Sequence, residues 1–303
     1  MRPRNAIGAR PVTALLRTCV VSTLAGGVLV GAQVGPQLPF EPLREFGASV
    51  TGSFEGWFDN PDGSHTFIVG YLNRNTKQAL DIPIGESNRI EPGGPDQGQP
   101  THFDPGRQLG MFTVTVPKAF TAAQRLTWTL SANGRTNVIP FRLNPDYVLN
   151  PFQDVAVQNT PPILRLSENG PTIQGPIAAL ARAETRTAKV GQPLTLSGWT
   201  TDDGKFTTGS NAAPSELPPP VEFEWSKFRG PGRVTFDAVK PKVTVLAGGG
   251  VNVAFSGRAT ATATFAEPGD YVLHLNVDDF SGRGSGETGC CWTTTLVKVT
   301  VTP

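Results

Sequence analysis

Cys290 and Cys291 are adjacent in the chain, between Gly289 and Trp292, and the third cysteine, Cys19, lies in an N-terminal stretch that has the composition of a targeting signal. If that stretch is removed on export, the pair are the only cysteines of the mature chain, and they meet an oxidising compartment. Cα atoms of neighbours lie about 3.8 Å apart across a trans peptide, against a lower bound of roughly 4.4 Å for ordinary disulfides. A bond between neighbours is therefore strained and comparatively easy to reduce. Three chemistries follow: a structural ring stiffening the entry to the last strand, intermolecular disulfides or thiolate metal binding, and a redox role.

Two aspartate pairs form a second candidate. Asp202-Asp203-Gly204 and Asp278-Asp279 fall at strand ends or turns, from which several oxygens can converge on calcium, although the spacing is not that of an EF-hand loop. The bland reading is that such aspartates accept hydrogen bonds in Asx turns. No other cofactor is expected. The three histidines, His65, His102 and His274, show no metal-ligand spacing. His102 is the exception in context, because Asp96 and Asp104 lie near it in the Gly/Pro-rich stretch Glu91–Arg107. That stretch reads as a long surface loop, where binding residues concentrate. Trp57 and Trp199, beside turn sequence, are candidate surface platforms for stacking on a ligand, whereas Trp128 and Trp225 alternate with polar residues as core positions do. The sequence carries no G-x-S-x-G elbow, Walker loop or dinucleotide fingerprint, so no catalytic residue is assigned and a non-enzyme is the favoured reading.

These residues must be positioned by strands. Phe112, Val114 and Val116 alternate with threonines, as do Ala259, Ala261, Ala263 and Phe265. Leu126/Trp128/Leu130, Val221/Phe223/Trp225, Val251/Val253/Phe255, Tyr271/Leu273/Leu275/Val277 and Val297/Val299/Val301 repeat the period of two. Turn chemistry separates the runs: Asn60-Pro61-Asp62-Gly63 is a turn, and Ala132-Asn133-Gly134-Arg135 closes a hairpin. With 34 Gly, 28 Pro and 38% hydrophobic residues in 303, the chain reads as all-β: two β-sandwich, immunoglobulin-like domains. The expected organisation is a signal or anchor at 1–32, a spacer at 33–46, a β-sandwich domain at 47–152, a proline-rich linker at 153–185 and a second β-sandwich domain at 186–303. The segment Gly209–Pro220, ending in three prolines, is expected to protrude.

The second domain carries a resemblance. Val190-Gly191-Gln192-Pro193-Leu194-Thr195-Leu196, Asp202-Asp203-Gly204, Phe223-Glu224-Trp225, Gly230-Pro231-Gly232 and Ala263 through Leu273 with its Pro-Gly-Asp-Tyr turn follow the strand and turn order of PKD-type domains. The match spans about 186–302 and lacks the family's Trp-x-Phe-Gly-Asp-Gly turn. The resemblance implies an extracellular sandwich used in adhesion, spacing, or contact with carbohydrate or protein, and implies no catalysis. The first domain resembles no family.

The N-terminus sets the compartment. Arg2, Arg4, Arg10 and Arg17 precede an apolar run from Cys19 to Val30, no acidic residue occurs before Glu41, and Val30-Gly31-Ala32 suits cleavage after Ala32. The competing reading is an uncleaved single-pass anchor, since Thr18–Phe40 is uncharged. A net charge of +1, with 17% charged residues, gives no field to attract nucleic acid, and a membrane is met only through an uncleaved N-terminus. The expected function is an exported, non-catalytic binding or structural module, periplasmic, extracellular or on the cell surface, whose partner is an envelope or extracellular protein or a glycan. The alternatives are a secreted enzyme or metal-binding protein using the 91–107 loop, and a membrane-anchored subunit of an envelope assembly.

Overall fold

A computed structural model describes residues 41–155, 158–205, 221–250, 253–279 and 290–303. The expected leader at 1–32, the spacer up to residue 40 and the segment Gly209–Pro220 lie outside the described residues. Strands carry the structure. In chain order they are β1 (Val50–Asp59), β2 (His65–Asn73), β3 (Leu80–Asp81), β4 (Asn88–Glu91), β5 (His102–Phe103), β6 (Gly106–Val116), β7 (Leu126–Ala132) and β8 (Arg135–Phe141). The second half adds β9 (Ile163–Arg165), β10 (Glu184–Lys189), β11 (Leu194–Asp202), β12 (Val221–Arg229), β13 (Val234–Phe236), β14 (Thr244–Gly248), β15 (Phe255–Phe265), β16 (Gly269–Asp279) and β17 (Trp292–Thr302). The chain is all-β and immunoglobulin-like in its packing of sheet on sheet.

The first sandwich opposes the sheet β1-β2-β6 to β4-β7-β8, with the small pair β3-β5 beside them. The expected hairpin joins β7 and β8: Asn133 and Gly134 both take positive φ, 49° and 76°, as a two-residue turn between paired Ala132 and Arg135 requires. The sheets close tightly around Trp128. A Cβ at Gly52 of β1 would lie 2.5 Å from its ring, so only glycine fits beneath the indole.

The second sandwich opposes β10-β17-β16-β12 to β13-β15-β11-β9, with β14 also pairing β15. Among the described strands of this half the pairings are antiparallel except β10 with β17. Period-two alternation sends Leu273, Leu275 and Val277 of β16 into this core beside Phe223 and Trp225 of β12.

The opposite face of that sheet is buried as well. Val272 of β16, Phe228 of β12 and Leu296 of β17 belong to the core of the first sandwich, and the His274 ring stacks on Phe228 at 6.2 Å. The two sandwiches therefore share a wall, and residues 41–303 form one compact unit. This explains why Trp292-Thr293-Thr294-Thr295-Leu296 is buried without interruption. Thr293 and Thr294 fill a two-faced strand because their hydroxyls find backbone partners: Thr293 donates to the Pro162 carbonyl at 2.5 Å and accepts from the Gly175 N–H at 3.0 Å, and Thr294 accepts from the Ala178 N–H at 3.2 Å.

Three readings of the sequence are corrected. Glu91–Arg107 is not an unpaired surface loop: His102–Phe103 pairs with Leu80–Asp81, and Gln99 and Phe103 are fully buried. The Gln99 and Gln97 amides supply the hydrogen bonds that a proline-rich backbone cannot make for itself, reaching the carbonyls of Pro95, Ile90 and Pro92. Within the proline-rich stretch 153–185, Ile163–Arg165 pairs with β11, since Leu164 completes the second core. The strand read from Val251 begins at Phe255, with Val253 exposed before it and Val251 outside the described residues.

Candidate functional site

Where β12 runs past the first sandwich, the two sandwiches leave a cleft of about 590 Å³. Asp81 at the end of β3, His102 at the start of β5 and Asp104 line one side, and Glu224, Lys227 and Arg233 line the other. Lys227 occupies a position that the alternation Val221, Phe223, Trp225 assigns to the interior, and its side chain is 8% exposed. An ammonium so placed needs a partner, and Asp81 supplies one at 3.2 Å.

His102 is held from both sides. Its Nδ1 lies 2.8 Å from Asp81 and its Nε2 3.3 Å from Asp104. Burial works against a charged imidazole here, but the hydrogen bonds and charges of Asp104 and Asp81 outweigh it and raise the histidine's pKa. Burial likewise opposes the charge on Asp81, yet His102 and Lys227 hold its carboxyl below the usual range. Beside this cluster Arg229 grips Asp96 through two hydrogen bonds of 2.9 and 2.8 Å and donates from Nε to the Gln99 carbonyl at 2.9 Å, which depresses the Asp96 pKa. The stretch 91–107 is thus fastened to the second sandwich by Arg229, and by the Thr101 N–H donating to the Phe228 carbonyl at 3.1 Å.

The sign of the His102 shift fixes a pH dependence. A histidine whose folded pKa is raised contributes stability that is complete below its unfolded value of about 6.5 and disappears as pH rises through the folded value. The thermal midpoint of the full chain is expected to fall on titration from about pH 6.5 upward, and His102→Gln is expected to flatten that part of the profile. A variant profile that parallels wild type would remove His102 from the fastening.

Ser226 and Thr235 also line the cleft, while the two His102 nitrogens face the Asp81 and Asp104 carboxylates. Among the described residues no three His, Cys, Asp or Glu side chains converge as a metal set.

The other singled-out residues lie elsewhere. Trp57 donates from Nε1 to the Asn144 carbonyl at 2.8 Å and packs edge-on against His65. Trp199 is half-buried under the Arg258 guanidinium, 6.0 Å from the ring centre, beside a small pocket of about 120 Å³. Neither tryptophan lines the cleft.

The four aspartates meet the vicinal cysteines at one end of the second sandwich. Cys290 and Cys291 are joined by a disulfide, both are buried, and the Cys291 sulfur lies 3.6 Å from the Asn159 carbonyl. Asp203 accepts from Thr160 and from the Lys205 N–H, and Asp278 accepts from Asn276. Asp279 accepts from the Asn159 amide at 2.7 Å. Asp202 is different: burial, and then the charges of Asp279 and Asp203, outweigh a hydrogen bond from the Gly204 N–H and push its pKa up to about 7.

Sequence reasoning did not find Asp81, Lys227 or Arg229. A lysine on the apolar phase of β12 was the available signal for Lys227. Asp81 and Arg229 had none, because their partners are 21 or more positions away in the chain.

No family model matches this chain, and no curated protein matches it. Among solved structures, a titin fragment aligns at 10% identity over 83% of this chain and 99% of its own, with a TM-score of 0.22. The C-terminal domain of the AgI/II polypeptide BspA of Streptococcus agalactiae aligns at 10% identity over 83% and 99%, with a TM-score of 0.20. CfaE, the adhesive subunit of the CFA/I fimbria of enterotoxigenic Escherichia coli, aligns at 8% identity over 84% and 88%, with a TM-score of 0.20. TM-scores this low carry no inference about function, and the fold rests on the sheets described above.

Proposed function

We propose that this protein is an exported, non-catalytic binding or structural module of the cell envelope or exterior, and that the cleft between its sandwiches contacts an envelope or extracellular protein or a glycan. The observation that carries the reading is how the charges of the cleft floor are spent. His102 is tied to Asp104 and Asp81, Lys227 to Asp81 and Arg229 to Asp96, an arrangement that fixes shape rather than freeing a base. Export is supported by the arginine-led apolar N-terminus and by the Cys290–Cys291 disulfide, which persists in oxidising compartments. In this reading 47–152 is the first sandwich domain and 186–303, together with the strand Ile163–Arg165, the second, of PKD-type or neighbouring immunoglobulin-like descent.

Arg233, exposed on the rim of the cleft, is the position to test. The immobilised full chain is probed with purified envelope proteins and glycans, and Arg233→Glu is expected to weaken the captured ligand by roughly tenfold or more. A saturating hydrolytic turnover by the purified chain would overturn the reading.

A further inference from the structure

We propose that a hard divalent cation of the calcium class binds at the inner end of the second sandwich, between Asp202 and Asp279, with the Thr200 hydroxyl as a neutral ligand. Asp202 closes β11 and Thr200 lies two residues before it on the same inward face, while Asp279 closes β16 on the opposing sheet. All three are more than nine-tenths buried: Thr200 is 2%, Asp202 8% and Asp279 6% exposed. The Oδ2 of Asp202 accepts from the Gly204 N–H at 2.8 Å, but its Oδ1 and the Thr200 Oγ1 have no hydrogen-bond partner among the described residues. Buried oxygens left in this state are rare, and they point to an ion or other group that pairs with them.

The surrounding charges favour a cation. Asp202 faces Asp279 and Asp203, and among the described residues no basic side chain pairs with Asp202; the Lys205 ammonium is engaged by the Gln158 carbonyl at 2.7 Å. Two carboxylates on opposite sheets, with the Thr200 hydroxyl on the same inward face as one of them, suit calcium, which completes an irregular shell of six to eight oxygens with carbonyls or water; magnesium demands near-octahedral order. Asp203 and Asp278 are satisfied by their own neighbours and are left out of the set. With only two carboxylates, affinity belongs at the weak end, with a dissociation constant of about 10⁻³ M, as in extracellular modules.

The test is thermal unfolding of the full chain at about pH 8, where carboxylates are ionised, without divalent ions and then with CaCl₂. At about 10 mM Ca²⁺, roughly ten times that dissociation constant, the folded-to-unfolded ratio is expected to rise about elevenfold and the midpoint by about 3 to 6 °C. Asp202→Asn and Asp279→Asn are expected to abolish the shift, while Asp203→Asn and Asp278→Asn keep it. Calorimetric titration of the wild-type chain, expected to show one ion per chain, gives a readout that does not depend on the variants folding. No calcium shift in the wild-type chain, together with a raised midpoint for ion-free Asp202→Asn, would overturn the proposal in favour of a proton shared by the two carboxyls. A shift that survives Asp202→Asn would overturn it by placing the ion elsewhere.

Discussion

Phe228→Ala is expected to cost roughly 3–5 kcal/mol and to split one cooperative unfolding transition into two. Phe228 belongs by sequence to the second sandwich, yet its fully buried ring sits in the core of the first, against the His274 ring. Truncation removes a large apolar side chain where backbone on both sides is pinned by sheet pairing, so little collapse can fill the cavity. The loss falls on the shared wall rather than inside either core, and each sandwich keeps its own closed set of strands. The Thr101 N–H that donates to the Phe228 carbonyl then works against a loosened wall, and the cleft edge is expected to loosen with it. Scanning calorimetry with global urea melts reads both effects. A single transition lowered by less than about 1 kcal/mol, the size of an ordinary surface change, would show that the wall does not couple the two halves.

Asn88→Ala is expected to be nearly as damaging, although it removes only one small polar side chain. Asn88 is fully buried; its amide donates to the Ile82 carbonyl at 2.9 Å and to the Pro100 carbonyl at 2.8 Å, and its oxygen accepts from the Trp128 indole at 2.9 Å. One residue thus ties the backbone before β4, the stretch that carries His102, and the central tryptophan. Alanine leaves three buried polar groups without partners, at roughly 1–3 kcal/mol each and less than additively, so a loss of about 3–5 kcal/mol is expected. Amide exchange is expected to quicken across Gln97–Phe103 before it does in β7. Protection there equal to wild type would mean that Arg229, the Thr101–Phe228 contact and the β3–β5 pairing hold the stretch without Asn88.

The two cases mark where the sequence was legible. Val221, Phe223 and Trp225, or Ala259, Ala261 and Ala263, alternate strictly because each strand shows one face to a core, and a period of two can be read without knowing the partner. The Asn133-Gly134 hairpin was legible because its turn needs two residues tolerant of positive φ. Trp292–Leu296 gave no such alternation, because a strand buried on both faces loses its polar phase, and the second face is created only when the sandwiches meet.

By itself, then, the sequence determined that this chain folds as stacked β-sheets, that its tryptophans at 128 and 225 are core, and where its tight turns fall. Only the tertiary structure decided that Asp81, His102 and Lys227 meet, that Arg229 reaches Asp96, and that Asp279 comes close enough to Asp202 to raise its pKa. The reason is physical: propensity and periodicity act over a few residues, whereas ion pairs and buried amides form between groups as far as 146 positions apart, brought together by the docking of one sheet on another.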